Sequence, residues 1–199
     1  MSTKVFITAN QLLEDSFELG MQILESGFVP TFLVGVWRGG APIGIAVQEV
    51  LEECGVATNH IAVRSSSYTG INQRSQRVSI HGLGYLVDTL TPEDRVLIVD
   101  DVHDSGLSVA ELMSQIQLRC VANMPAEVRL ATVYYKPSQS LVPSKPDFYL
   151  HETDDWLVFP HELAGLSEAE IEQHKPGVSG IKKRLLARIN GRPRESVGR

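Results

Sequence analysis

The stretch VLIVDDVHDSGLSV, residues 96–109, passes from apolar to acidic to small within fourteen positions. Its opening residues form the continuous apolar run of a strand buried on both faces. Asp100 and Asp101 end that run, and Asp104 follows three positions later. Carboxylates so close repel one another, so something beyond folding has to justify them. DSGLS then leads into SVAELMSQIQLRC, where Val109, Leu112, Met113 and Ile116 share one helical face. The stretch reads as strand, ligand-holding turn and helix.

Working outward, TFLVGVW, HIAVRS, RVLIVDD and EVRLATVYY read as strands, with FYLHE and WLVF as shorter pieces. Between them lie helical patterns. The first spans roughly 10–26, with Leu13, Phe17, Gly20, Met21 and Leu24 as its apolar face and Gly27 as its stop. The second is PIGIAVQEVLEEC, with Ile43, Val47, Val50, Leu51 and Cys54 inward and Pro42 in its first turn. SSYTGINQRSQRVSIHGLGY is polar and aperiodic, and reads as a long surface loop or β-ribbon. Strands alternating with helices predict an α/β fold with an open, mostly parallel sheet flanked by helices. Residues 1–164 read as one domain. From 165 to 199, LSEAEIEQHK reads as a C-terminal helix, and the remainder as a basic tail.

The totals narrow the function. A chain of 199 residues with 43% hydrophobic and 21% charged residues suits a globular domain with a sizeable core. A net charge of -6 argues against broad attraction to nucleic acid or anionic membrane. No apolar run approaches the ~20 residues that a membrane span needs. MSTKVFITANQLLEDSF lacks a signal-peptide core, so a soluble, cytoplasmic protein is expected. Cys54 and Cys120 are too few for a disulfide framework, and read as buried hydrophobes on helices. The histidines at 60, 81, 151, 161 and 174 show no metal-ligand spacing, and His103 is expected to face solvent.

Open parallel sheets bind ligands at the carboxyl ends of their strands, where Asp100 and Asp101 would sit. These acids can accept hydrogen bonds from a sugar diol or hold hydrated Mg²⁺. The turn amides, the helix N-terminus and the Ser105 and Ser108 hydroxyls can hold a phosphate. A ligand with vicinal hydroxyls and a phosphate would satisfy both.

The stretch resembles the phosphoribosyl-pyrophosphate-binding motif of type I phosphoribosyltransferases, with Ser105 and Ser108 where Thr is commoner. Three further segments resemble the 6-oxopurine (hypoxanthine, guanine, xanthine) branch. GVWRGGAPIG, residues 35–44, is similar to the pyrophosphate loop, where Arg38 offers a charged fork and Gly39 permits close approach. In that family the bond before the basic residue, here Trp37–Arg38, can be a non-proline cis peptide. RSSSYTG, residues 64–70, resembles the mobile lid through Ser67 and Tyr68. YYKPSQS and DFYLHETDDWLVFPHEL, within 134–163, resemble the purine-binding end. Taken singly, Arg38 could be a surface residue on a Gly-rich turn, Trp156 a core aromatic and Lys136 a solvated strand-end charge.

The resemblance implies a type I phosphoribosyltransferase fold with a small base-binding hood. It implies donor binding by Arg38, Gly39, Asp100, Asp101, Ser105, Gly106, Leu107 and Ser108, with Asp100 and Asp101 at Mg²⁺. Lys136 would donate to the purine O6, Trp156 would stack on the base, the Leu157 backbone would read its edge, and Glu162 stands where bacterial xanthine-guanine enzymes carry an acid. Asp104 would be the general base near N7. The substrates implied are phosphoribosyl pyrophosphate and an oxopurine, in purine salvage, and a homodimer or homotetramer is the family expectation. Rivals remain. A receiver domain would carry its acidic pair near the chain start. A non-catalytic nucleotide-sensing regulator of the same fold would usually lack one of these acids. A pyrimidine or aminopurine enzyme would also share the donor motif, although an aminopurine has no O6 for Lys136.

Overall fold

The computed structural model describes residues 4–69 and 76–178, together with 180, 181, 184, 187 and 188. Part of the expected loop, 70–75, and most of the basic tail lie outside the described residues. For 67–69, 76 and 77 only the backbone is described. Along the chain run β1 (Lys4–Phe6), α1 (Ala9–Glu25), β2 (Phe32–Trp37), α2 (Gly40–Glu53), β3 (Asn59–Thr69) and β4 (Gln76–His81). After them come α3 (Gly84–Thr89), β5 (Arg95–His103), α4 (Leu107–Arg119), β6 (Glu127–Tyr135), β7 (Phe148–Glu152), β8 (Trp156–Val158) and α5 (Glu168–His174).

The main sheet has the order β4-β3-β2-β5-β6-β7. Every pairing in it is parallel except β3 with β4. Alternate residues of β5 serve opposite faces. Leu97 and Val99 pack under α1 and α2 with Leu19, Ile43 and Val47. Val96 and Ile98 pack under α3 and α4 with Leu86, Leu112 and Ile116. Because both faces are covered, the strand lacks polar alternation and appears in sequence as an unbroken apolar run.

A separate two-stranded sheet pairs β1 with β8 in parallel, Lys4 opposite Trp156, and forms the hood. Helix α5 is tied to it. Lys4 Nζ lies 2.8 Å from Glu170 Oε1, the Phe6 and His174 rings stack at 3.7 Å, and Lys175 Nζ donates to the Phe159 carbonyl at 2.6 Å.

Three expectations need correction. Helix α1 buries Leu12, Ser16, Leu19, Gly20 and Ile23, whereas Leu13, Phe17 and Met21 are exposed. Two apolar stripes one position apart have the same helical spacing, and the approach of α2 decides between them. The closeness of that approach shows at Gly20, where an added Cβ would meet Val50 at 3.0 Å. Cys54 is exposed, because α2 ends at Glu53 and Gly55 (φ 81°) turns the chain away. Cys120 is buried as expected. Where it is described, the polar stretch 66–85 is mostly the β3–β4 ribbon rather than loop, and an unexpected short helix, α3, begins at its end with Gly84 and buries Leu86.

Candidate active site

At the carboxyl edge of the sheet, β5 delivers its acids between two loops. The Asp101 N–H donates to Asp100 Oδ1 at 3.0 Å, which holds the pair as neighbours. Burial first, and the Asp101 charge second, push the Asp100 carboxyl well above the usual carboxylate range. Such a pair favours a cation. Among the described residues no cluster of three or more His, Cys, Asp or Glu forms a ready-made metal cage. Mg²⁺ commonly takes one or two carboxylates, with substrate phosphates and water completing its shell, so Asp100 and Asp101 fit it.

The loop after β2 meets the same acids. The Trp37–Arg38 peptide is cis. Gly39 follows it, directly against Asp101, and an added Cβ there would overlap the Asp101 carboxylate. Glycine is therefore required at this position by the close approach of Asp101. Arg38 is exposed and lines a cavity of about 290 Å³, together with Lys4 and His161 of the hood region.

Beyond Asp104, Gly106 turns the chain with φ 75° into the N-terminus of α4. The first turn of any helix leaves N–H groups without intrahelical partners, and here Leu107 and Ser108 begin that turn. Ser65 of β3 donates to Ser108 Oγ at 2.8 Å, fixing the hydroxyl from the side. The loop after β6 braces the turn. Lys136 N–H donates to the His103 carbonyl at 2.9 Å, and Leu141 N–H to the Ser105 carbonyl at 3.0 Å.

His103 does not face solvent. It is 2% exposed, because β5 continues past the acids and pairs His103 with Tyr135. An added Cβ on Gly106 would meet His103 Nε2 at 2.8 Å, so the imidazole lies directly under the turn. Neither ring nitrogen has a hydrogen bond of good geometry. Burial holds its pKa below the ordinary value, outweighing the opposing Ser144 backbone and Asp104 charge.

A second cavity, of about 430 Å³, opens beside the acids and is lined by Asp101, Asp104, Lys136, Trp156, Leu157 and Glu162, among others. Lys136 Nζ lies 3.6 Å from Asp104 Oδ2. Trp156 is 58% exposed, which argues against a core aromatic and leaves its ring free to cover a ligand. Leu157 is buried. Glu162 Oε2 accepts from the Phe159 N–H at 3.1 Å, closing the turn between them.

The structure thus gathers Arg38, Gly39, Asp100, Asp101, Asp104, the 105–108 turn, Lys136, Trp156, Leu157 and Glu162 along one rim. Ser67 and Tyr68 belong to the β3–β4 ribbon, paired with Val78 and Arg77, and their side chains lie outside the described residues. Sequence reasoning missed Ser65, Phe159 and His161. Each is one or two residues from a motif position, but only the folded geometry shows where it points.

The rim thus combines paired acids, a helix N-terminal turn and a cavity with an aromatic ring in its lining. Residues 8–167 match the family model described as "Phosphoribosyl transferase domain", and the chain belongs to that family. Among solved structures, a purine phosphoribosyltransferase from Pyrococcus horikoshii OT3 is similar at 26% identity and TM-score 0.64, over 82% of this chain and 97% of that one. A Helicobacter pylori xanthine-guanine-hypoxanthine phosphoribosyltransferase is similar at 21% identity and TM-score 0.66, over 87% and 99%. A hypothetical Neisseria gonorrhoeae protein with bound ppGpp is similar at 18% and TM-score 0.67, over 88% and 96%. Among curated proteins, none matches. The α/β fold, with its mostly parallel sheet flanked by helices, is that of a type I phosphoribosyltransferase. Among the described residues no helix is long and apolar enough to cross a membrane.

Proposed function

We infer that the protein transfers phosphoribosyl from phosphoribosyl pyrophosphate to a 6-oxopurine base, releasing pyrophosphate and a purine nucleoside monophosphate. One observation carries the reading. The acids of β5, the Gly106 turn and the Lys136–Trp156 cavity adjoin one another, so sugar, phosphate and base fit as parts of one ligand.

In this reading the 5′-phosphate sits on the amides of 105–108 and the ribose diol on Asp100 and Asp101. Asp100 and Asp101 would hold Mg²⁺, which would supply positive charge for the departing pyrophosphate. Arg38 contributes a guanidinium to the same charge. As the C1′–O bond to pyrophosphate breaks and a base nitrogen bonds to C1′, positive charge grows at C1′, and the neighbouring carboxylates offset it. Asp104 accepts the proton leaving purine N7. Lys136 donates to O6, where negative charge develops as that proton leaves. The Trp156 ring covers the base and keeps water from C1′. The Lys136–Asp104 contact links the two proton-handling groups, so the acceptor at N7 and the donor at O6 are set by one pair.

The test is a spectrophotometric screen of hypoxanthine, guanine and xanthine, with adenine and orotate as controls, in the presence of the sugar donor and Mg²⁺. Turnover with at least one oxopurine and none with adenine or orotate is expected. No turnover with any base, beside tight nucleotide or RNA binding, would favour the regulator instead. Assembly as a homodimer or homotetramer accompanies the reading, and sedimentation velocity checks it.

A further inference from the structure

His161 is carried by the hood, yet it reaches the strand acids. Its Nε2 lies 3.4 Å from Asp101 Oδ2, with the side chain 28% exposed. Its ring runs nearly parallel to Phe159, 9° between planes and 5.6 Å between centroids. The same Asp101 oxygen is the atom nearest to where a Cβ on Gly39 of the Arg38 loop would stand. One carboxylate therefore meets both the hood and the loop after β2. The same imidazole lines the 290 Å³ cavity with Arg38. Lys4, which also lines that cavity, is already paired with Glu170.

The turn that bears His161 is fixed from behind. Glu162 N–H donates to the Phe159 carbonyl at 3.0 Å, and Lys175 Nζ donates to that carbonyl at 2.6 Å. A side chain presented from so braced a turn loses little freedom when it meets a ligand. A residue that only propped the hood would have no need to share a cavity with an exposed arginine.

We propose that His161 is a further donor-binding residue, which holds Asp101 when the site is empty and donates its imidazole N–H to the diphosphate of the sugar donor when the ligand claims that carboxylate. The proposal rests on the phosphoribosyl-transfer reading above. Both positions are within reach of one ring: the acid it touches and the cavity it lines. The exchange needs no proton to be gained or lost, because a neutral imidazole already has one N–H to give.

Calorimetry on the full chain with Mg²⁺ tests this, with pyrophosphate and a purine nucleoside monophosphate titrated separately. His161→Phe keeps the ring packing on Phe159 and removes the N–H, whereas His161→Gln keeps a side-chain N–H donor. His161→Phe is expected to weaken pyrophosphate about tenfold, the size of one charge-assisted hydrogen bond, with the monophosphate within about twofold of wild type. His161→Gln should recover most of the loss. In steady state the donor KM should rise about tenfold, with kcat changed much less. Equal pyrophosphate binding by wild type and His161→Phe would overturn the proposal, as would an equal loss for both ligands, which marks a collapsed hood. A wild-type protein that binds neither ligand would overturn the phosphoribosyl-transfer reading along with it.

Discussion

Replacing Gly39 by Ala asks whether the approach of the Arg38 loop to the β5 acids is functional. An added Cβ would overlap the Asp101 carboxylate, well inside the 3.0 Å below which something must shift. Asp101 is 9% exposed and its Oδ2 also meets His161, so it has little room to swing away. Either the carboxylate or the loop must yield by more than about 1 Å to regain van der Waals contact, and a misplacement of even ~1 Å can cost about 10²-fold in rate. We expect kcat/KM for the sugar donor to fall about 10²-fold, or about 2.7 kcal/mol in the barrier. Overpacking should also destabilise the fold by about 1–3 kcal/mol. The control is Gly84→Ala, where an added Cβ meets nothing within 4 Å. Steady-state kinetics at saturating base and Mg²⁺, with thermal melts of both variants, make the measurement. Donor kcat/KM within threefold of wild type in Gly39→Ala would refute the reasoning.

Four further predictions follow from the same geometry. Asp104→Asn should keep donor binding and lose about 10²–10⁴-fold in turnover, and unchanged turnover would remove it as the base. Lys136→Ala should raise the KM for the purine far more than that for the donor, and an equal loss in both would contradict its place at O6. Asp100 has a folded pKa above its unfolded 3.8, so its contribution to stability is present below that value and lost as pH rises through the folded pKa. Asp100→Asn should therefore raise the pH 7 melting temperature in EDTA by ~2–4 °C for each kcal/mol of relieved repulsion, and weaken Mg²⁺-dependent donor binding. His103 behaves oppositely: its folded pKa lies below 6.5, so stability present above that value falls as pH drops towards the folded pKa. His103→Leu should flatten that acid-side loss in melts recorded from pH 7 to pH 5.

Much of the site was legible because its chemistry is local. Asp100, Asp101, Asp104 and the 105–108 turn lie within one strand-turn-helix unit, whose apolar run, acids and small residues are adjacent in the chain. Lys136 and Trp156 were singled out by the resemblance of their segments to the family's purine-binding end, since local pattern alone left each with an ordinary structural reading. His103 was misread because the strand was ended at Asp101, whereas backbone pairing continues to Tyr135. The inward face of α1 was misread because a single helix offers two equivalent stripes until α2 packs against it.

By itself the sequence determined the order of the main strands and of helices α1, α2 and α4, the parallel class of the sheet and the acids at the end of β5, since periodicity and turn chemistry act over a few residues. Tertiary structure alone decided the pairing of Lys4 with Trp156 that builds the hood, the buried setting of His103, and the meeting of His161 with Asp101. Those contacts join segments far apart in the chain. No local pattern encodes them, because their partners are chosen by how the layers pack.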